Sequence, residues 1–272
     1  GIGVQARVLH GGDGASGSQD FAPAGLRDPL LRVFRWTPGV TARFAHHLVV
    51  SNACISGVLA LIVAKRWIES GKYDHAVVVG ADVLSRFVIS GFQSLQALSP
   101  EQCRPFDAAR KGINLGECAA AIVLTSRPDE LGVKARLRVT GGGLSNDANH
   151  ISGPSRTGEE LAFAIRQAME EASLETTDID FISAHGTATL YNDEMESGAF
   201  TLAGLEQVPT NSLKGYFGHT LGAAGVLEAA LSCQSLLNDE LIASRGFESL
   251  GVTHPVNIIR EVQSRPLEIC LK

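Results

Sequence analysis

The sequence predicts an α/β fold on three observations. Short apolar runs typical of strands alternate with segments whose apolar residues recur at helical spacing over most of the chain. The composition, with 44% hydrophobic and 19% charged residues, is that of an ordinary globular protein. The 29 glycines indicate many tight turns between the elements. We therefore expect a largely parallel or mixed sheet with helices packed on it.

The first predicted elements lie between residues 46 and 126. The run HHLVV (46–50) reads as a buried strand, and VLALIVAKRWIES (58–70) has the period of a helix. HAVVVGAD (75–82) is apolar at nearly every position, which is typical of a strand covered on both faces, and AAAIVLTS (119–126) is a further strand. The apolar stretch at 21–39 has no clear period and suits a loop buried by a partner.

Strand and helix patterns continue to alternate in the rest of the chain. We predict further strands at 135–143, 178–186, 207–212 and 265–272. Further helices are predicted at 158–175, 192–204 and 218–239. The last of these helices is rich in small residues, which allows a neighbouring helix to approach closely.

Charge and cysteine usage exclude several classes of protein. A net charge of −6 gives no electrostatic basis for binding nucleic acid or an anionic membrane. We find no apolar run long enough to cross a bilayer and no signal peptide. The five cysteines are widely spread without a CxxC pair, which argues against a disulfide framework and a metal site. We therefore expect a cytoplasmic protein.

The stretch SNACISG places Cys54 at a predicted strand-to-helix turn. Backbone N–H groups and the helix dipole at such a turn favour a thiolate over a thiol, so Cys54 is a candidate nucleophile. A buried structural cysteine is the alternative interpretation.

Two further stretches also place polar side chains and glycines next to a predicted strand. SAHGTAT places His185 at the end of a predicted strand, followed by glycine and hydroxyl residues. NSLKGYFGHTLGAAG places Lys214 after a short strand and His219 at the start of a helix. Because ligands collect at the carboxyl ends of strands in α/β sheets, these residues and Cys54 are predicted to form one site.

Five stretches in this order resemble the β-ketoacyl-acyl carrier protein synthases, the condensing enzymes of fatty-acid and polyketide synthesis. They are SNACISG, RPFDAARKGINLGECAAAIVL, GLSNDANHISGPSRTGEEL, AHGTATLYNDEME and NSLKGYFGHTLGAAGVLEA. The resemblance runs from about Ala45 to the end of the chain, and the last two motifs are highly specific.

The resemblance implies a thiolase-like fold, a layered helix and sheet sandwich with two pseudo-symmetric halves. Residues 1–126 would form an incomplete N-terminal half that carries the nucleophile, and residues 127–272 a C-terminal half that carries the histidines and the lysine. Family members have a longer N-terminal segment and continue into a glycine-rich GFG turn. We therefore expect this chain to be incomplete at both ends.

The resemblance also implies a division of roles. Cys54 would take an acyl chain from an acyl carrier protein as a thioester, and malonyl-acyl carrier protein would then lose carbon dioxide. His185 and His219 would donate hydrogen bonds to the resulting enolate. Lys214 would tune this cluster, with Glu117 as its buried partner.

Two threonines and the partner molecules complete these expectations. Thr187 and Thr189 match residues that bind the phosphopantetheine arm, although each hydroxyl could instead close a local turn. No cofactor or metal is expected beyond the phosphopantetheine of the acyl carrier protein. The family resemblance implies a homodimer with the strand at 75–82 near the two-fold axis.

Other functions fit the same residues less well. A coenzyme A-dependent thiolase needs a second cysteine in a CxG setting, and Cys270 lies in LEICLK. Initiating synthases use asparagine where this chain has His219. A non-condensing partner subunit resembling a chain-length factor usually lacks the cysteine that is present here.

Overall fold

The computed structural model describes residues 2–8, 46–133, 137–147 and 155–272. The described residues of 2–8, 50–133, 137–147 and 155–272 belong to one compact unit. The stretch at 21–39, predicted to be a buried loop, lies outside the described residues. No helix in the described part of the chain is both long and apolar enough to cross a bilayer.

Strands and helices alternate along the described chain as the sequence predicts. The strands are β1 (Ile2–Val8), β2 (His75–Asp82), β3 (Cys118–Thr125), β4 (Leu137–Leu144), β5 (Phe181–Ser183), β6 (Thr210–Asn211), β7 (Glu240–Leu241), β8 (Gln263–Ser264) and β9 (Ile269–Leu271). The α-helices are α1 (Ser56–Glu69), α2 (Arg86–Ser94), α3 (Glu159–Ala172), α4 (Leu190–Ala203), α5 (Lys214–Phe217) and α6 (Ala224–Asn238).

A five-stranded mixed sheet has the order β4-β1-β9-β5-β6. β5 pairs in parallel with both β6 and β9, whereas β1 pairs antiparallel to β9 and β4. β1 comes from the predicted N-terminal half but joins a sheet whose other strands come from the C-terminal half. The division at residue 126 stays a prediction.

Apolar side chains cover both faces of this sheet around β5. Successive residues of a strand point to opposite faces. Ile182 packs with Ile165 of α3 and Phe200 of α4, while Phe181 packs with Leu236 of α6. The sheet therefore lies between α3 and α4 on one side and α6 on the other.

The second sheet consists of β2 and β3 in one antiparallel register from His75–Thr125 to Asp82–Cys118. One face packs on α1 and α6, where Val78 joins Leu61 and Val226. On the other face Val77 and Val79 are 43% and 62% exposed. Within the described part of this chain β2 is therefore covered on one face, and cover of its other face stays a prediction.

Helices α1 and α6 approach each other through glycines. A Cβ atom at Gly57 would lie 2.8 Å from the Val226 nitrogen, and one at Gly225 would lie 2.5 Å from Val58 Cγ2. These distances are shorter than side chains tolerate, so both positions need glycine for the observed packing. The predicted close packing of the small-residue helix is confirmed.

Several predicted boundaries differ from the structure. Residues 46–50, predicted as a strand, are irregular, and Val49 is exposed. β5 is shorter than predicted because the chain turns after Ala184, with Gly186 at φ +42°. Helix α2, which was not predicted, begins where the Ser85 side chain accepts a hydrogen bond from the Val88 N–H.

Candidate active site

Cys54 lies in a tight turn ahead of α1. Ala53 has φ +46°, a left-handed conformation that costs a residue with a side chain about 1–2 kcal/mol. Ser56 closes the turn, because its Oγ donates to the Ala53 carbonyl at 2.6 Å and accepts from the Asn52 N–H at 2.7 Å. The turn leaves Cys54 half-buried, with Ile55 as the N-cap of α1.

The pKa of the Cys54 thiol lies above its ordinary value of 9.0. Burial is the largest cause, and it outweighs the nearby Lys214 ammonium, which lowers the pKa. Burial thus opposes the expected effect of the helix N-terminus, which was to favour the thiolate over the thiol.

His185 follows β5 and is held by a carboxylate that the sequence analysis did not single out. The two oxygens of Glu196, on α4, accept hydrogen bonds from the His185 and Gly186 N–H groups, each at 2.7 Å. Asp193, one turn earlier, is fully buried and accepts from the Ala188 N–H at 3.1 Å. Two carboxylates at the start of one helix therefore fix the loop that carries His185.

His219 lies in a turn before α6 and is buried. The helix begins at Ala224, later than predicted, after a short 3₁₀ turn at Leu221–Ala223. The His219 N–H donates to the Asn114 carbonyl at 2.7 Å, and the Gly116 N–H donates to the His219 carbonyl at 3.0 Å. The segment GINLGEC thus positions this histidine.

Both imidazoles have the tautomer with a proton on Nε2. His219 Nδ1 accepts from the Leu221 N–H at 3.1 Å, and His185 Nδ1 lies 3.4 Å from Lys214 Nζ, which can only donate. The two rings stand edge to face with centroids 4.9 Å apart. Among the described residues the His219 Nε2 has no hydrogen-bond partner, which leaves it as a free donor.

Both histidines are neutral at ordinary pH. Burial, followed by the charge of Lys214, lowers the pKa of His219 to about 3 and that of His185 well below 6.5. The pair therefore presents N–H donors without a full positive charge on either ring.

Lys214 is completely buried beside these rings. Its Nζ donates to the His185 carbonyl at 2.5 Å and to Glu228 Oε1 at 2.6 Å. Because an isolated buried charge is costly, Glu228 is the counter-ion that permits a charged lysine here.

The predicted pairing of Lys214 with Glu117 is wrong. Glu117 is exposed, and its Oε1 accepts a hydrogen bond from the Leu84 N–H at 2.6 Å. The sequence does carry a signal for the true partner, because Glu228 is the one carboxylate within the small, apolar run GAAGVLEAALS. A charge in such a run has to face another charge or solvent.

Thr187 and Thr189 make the contacts that close a turn. Their hydroxyl oxygens lie 2.8 Å apart, and Thr189 Oγ1 also accepts from Asn192 Nδ2 at 2.9 Å. These contacts favour the local role that the sequence left open, and binding of phosphopantetheine stays a prediction.

Cys54, His185 and His219 converge on one point. Their sulfur and ring nitrogen atoms all lie within 4.8 Å of one another. These are side chains that can ligate zinc, but the neighbouring cations Lys214 and Lys272 outnumber the one carboxylate, Glu228, that they contact. This surplus of positive charge disfavours a metal ion.

A cavity of about 180 Å³ opens beside this cluster. Cys54 and His185 line it together with apolar side chains that include Ile165, Ile182 and Phe200. The arrangement places a thiol, two neutral N–H donors and a buried ammonium around one space. Such a set can form a thioester and stabilise a developing oxyanion.

Two family models match this chain. The N-terminal domain of β-ketoacyl synthases matches residues 45–130, and the C-terminal domain of the same family matches residues 137–248. Cys54 falls in the first match, and His185, Lys214, His219 and Glu228 fall in the second.

Curated relatives agree with the family models. Nodulation protein E of Rhizobium leguminosarum bv. trifolii is 37% identical over 71% of this chain and 49% of its own length. The 3-oxoacyl-[acyl-carrier-protein] synthase 2 of Vibrio cholerae is 33% identical over 82% of this chain and 58% of its own length. The chain thus spans about half the length of these relatives.

A solved structure shows the same fold. A ketosynthase (ApeO) in complex with its chain length factor (ApeC) from Xenorhabdus doucetiae superposes with a TM-score of 0.70 and 39% identity. The match covers 79% of this chain and 53% of that one. The predicted thiolase-like α/β fold is confirmed.

Proposed function

Because this chain belongs to the β-ketoacyl synthase family, we propose that it catalyses the decarboxylative condensation of an acyl thioester with malonyl-acyl carrier protein. One observation supports the proposal above all. Cys54 and two neutral histidines meet within 4.8 Å, beside a buried Lys214–Glu228 ion pair. The product would be a β-ketoacyl chain longer by two carbons.

In the first step Cys54 accepts the acyl chain. Its sulfur attacks the thioester carbonyl of the acyl carrier protein, a new carbon–sulfur bond forms, and the phosphopantetheine thiol leaves with the proton that Cys54 gives up. Because burial raises the pKa of Cys54, the thiolate that attacks is a minor species of the free protein. The Lys214 ammonium stabilises the transient thiolate.

In the second step malonyl-acyl carrier protein loses carbon dioxide. The carbon–carbon bond to the carboxylate breaks and leaves an enolate, whose oxygen accepts hydrogen bonds from the Nε2–H groups of His185 and His219. The enolate carbon then attacks the acyl-Cys54 carbonyl, and the Cys54 thiolate leaves. Neutral rings suit this role because they donate a hydrogen bond without protonating the enolate.

The partners follow from the substrates. Acyl carrier proteins would present both thioesters on phosphopantetheine, so no other cofactor enters these steps. One similar solved structure is of a type II polyketide synthase acyl-carrier protein in complex with its ketosynthase. We propose the same class of partner for this chain.

A homodimer is part of the proposal. Among the described strands β2 pairs only with β3, so its other edge is open beside the exposed side chains of Val77 and Val79. Open apolar edges are aggregation sites unless another chain covers them. A second copy, related by a two-fold axis near β2, would cover both.

Mapping of the acyl group tests the function. We expect incubation with an acyl-acyl carrier protein to place the acyl group on Cys54, as read by mass spectrometry. The Cys54→Ala variant should accept no acyl group but still decarboxylate malonyl-acyl carrier protein, because both histidines remain.

A different result would favour another function. Acylation of Cys103, Cys118, Cys233 or Cys270 would contradict the role of Cys54. A protein that neither takes an acyl group nor decarboxylates malonyl-acyl carrier protein would behave as a partner subunit of the chain-length-factor kind.

A further inference from the structure

Glu228 contacts two lysines rather than one. Its Oε1 lies 2.6 Å from Lys214 Nζ, and its Oε2 lies 2.6 Å from Lys272 Nζ. The Lys272 side chain is 8% exposed, and its Nζ also donates to the Ser183 carbonyl at 3.3 Å. Nothing in the family resemblance or in the steps proposed above gives Lys272 a role.

The position of Lys272 ties it to the reacting groups. It follows β9 directly, at the end of the strand next to β5, which leads to His185. Lys272 lines the same cavity as Cys54 and His185. A charge at this place therefore acts on the site at short range and with little solvent screening.

The charges of this cluster do not cancel. A single Lys214–Glu228 pair would be neutral, whereas two ammonium groups on one carboxylate leave one positive charge in a buried space. Proteins rarely keep an extra buried charge for stability alone, because its desolvation is costly. The surplus therefore calls for a functional explanation.

We propose that Lys272 is a positioning residue that neutralises Glu228 from its second oxygen, so that the Lys214–Glu228–Lys272 cluster carries one net positive charge beside Cys54 and the two histidines. This charge stabilises the Cys54 thiolate when it forms and leaves. It also keeps the imidazoles neutral. The inference relies on the proposed function only in taking Cys54 as the nucleophile.

The surrounding charges agree with this assignment. Glu228 raises the pKa of Cys54 and Lys214 lowers it, and Asp82, near the turn before α6, also raises it. Glu196, on α4, already accepts hydrogen bonds from two backbone N–H groups. Lys272 itself lowers the pKa values of both His185 and His219, after burial and Lys214. The Lys272 ammonium pairs with Glu228, the carboxylate that, after burial, raises the pKa of Cys54.

The pH dependence of Cys54 alkylation tests the proposal. Rates with iodoacetamide would be measured from pH 7 to 11, with mass spectrometry restricted to the Cys54 peptide. Removing the charge in Lys272→Met should move the midpoint upward by about half a pH unit to one, and slow alkylation at pH 8 roughly three- to tenfold. Lys272→Arg keeps the charge and should keep the parent midpoint.

Two further variants, which change the net charge of the cluster in known steps, distinguish this effect from simple damage to the fold. Glu228→Gln leaves two positive charges, so its midpoint should fall below that of the parent. The double variant Lys272→Met/Glu228→Gln leaves one positive charge again, so its midpoint should return close to that of the parent. A purely structural role for Lys272 would instead make the double variant the most disturbed of all.

Lys65→Met is the matched control. Lys65 is also a buried lysine with two carboxylate partners, Glu69 and Glu171, but it lies on α1 away from the cavity. Its loss should leave the Cys54 midpoint unchanged. A parent-like midpoint in Lys272→Met, or an equal rise in Lys272→Arg or Lys65→Met, would overturn the proposal.

The readout separates this inference from the proposed function. Alkylation reports the chemistry of the thiol whether or not the protein condenses acyl chains. If Lys272→Met does not fold, as judged by circular dichroism, the Glu228→Gln variant still decides the question. A Glu228→Gln midpoint at or above that of the parent would then refute it.

Discussion

The five-stranded and the two-stranded sheet differ in how completely they cover their apolar residues. In the first, Ile182 and Leu271 are each 2% exposed, because helices pack on both faces. In the second, Val79 is 62% exposed, because α1 and α6 cover only one face. The ionised cluster lies at the fully covered sheet, where a low dielectric strengthens every charge contact.

The difference shows what each surface is suited to. A site that combines a buried ion pair with neutral N–H donors needs surroundings that exclude water and fix its side chains. The five-stranded sheet supplies these surroundings. Among the described residues nothing covers the outer face of the two-stranded sheet, and its exposed valines suit contact with another chain. Substitutions on the two sheets should therefore have unequal effects.

Loss of a buried carboxylate should have the largest effect. Glu228→Gln leaves two buried ammonium groups without a carboxylate partner, so we expect the free energy of unfolding to fall by about 3–5 kcal/mol. Glu117 is exposed beside the two-stranded sheet. Glu117→Gln should change the free energy of unfolding by less than about 0.5 kcal/mol, since a glutamine oxygen can still accept the hydrogen bond from the Leu84 N–H. Urea unfolding at pH 7 measures both, and equal losses would contradict the assignment of Glu228 as the counter-ion.

Loss of a histidine should be the next largest effect. His185→Ala and His219→Ala should each lower the rate of malonyl-acyl carrier protein decarboxylation roughly 10²- to 10³-fold, because one donor to the enolate oxygen is removed. His75→Ala changes a histidine of the two-stranded sheet and serves as the control, with the parent rate expected. A parent rate in His185→Ala would mean that the two-histidine donor pair is wrong.

The buried histidine should also make stability depend on pH. The pKa of His219 is about 3 in the folded protein, below its ordinary value of 6.5, so protons bind preferentially to the unfolded chain between these values. The stability advantage of the parent over His219→Gln should thus shrink by about 1.4 kcal/mol for each pH unit below 6.5.

The parent and the variant are compared because a second buried group also makes the free energy of unfolding depend on pH, in the opposite direction. Burial raises the pKa of Asp193 to about 7, so its contribution to stability is lost as the pH rises through that value. Asp193 is present in both proteins, and its contribution cancels in the difference. A difference that does not change between pH 6.5 and 5 would show that His219 is not buried in its neutral form.

The smallest effect on stability is expected at the open sheet. Val79→Lys should change the free energy of unfolding of the monomer by no more than about 0.5 kcal/mol, because the side chain already faces solvent. Self-association should nevertheless be lost, as measured by sedimentation velocity at low micromolar concentration. Val262→Lys, at an exposed valine elsewhere, should leave association intact, and a parent protein that sediments as a monomer would refute the dimer.

The sequence by itself determined the elements and most of the site. Periodicity located α1, α3, α4, β2, β3 and β4, because a repeat along the chain records which face of an element is buried. Local motifs located Cys54, His185, Lys214 and His219, since each lies in a turn whose glycines and small residues are visible in the chain.

Only the tertiary structure decided which charges meet. Glu117 accepts a hydrogen bond from Leu84 rather than from Lys214. Lys214 and Lys272, which are far apart in sequence, instead meet at Glu228 in the apolar helix α6. The same holds for Val79, whose apolar surroundings in sequence predict burial, whereas in the described part of the chain its side chain is exposed. Burial and ion pairing depend on distances between elements far apart in sequence, and no local pattern encodes those distances.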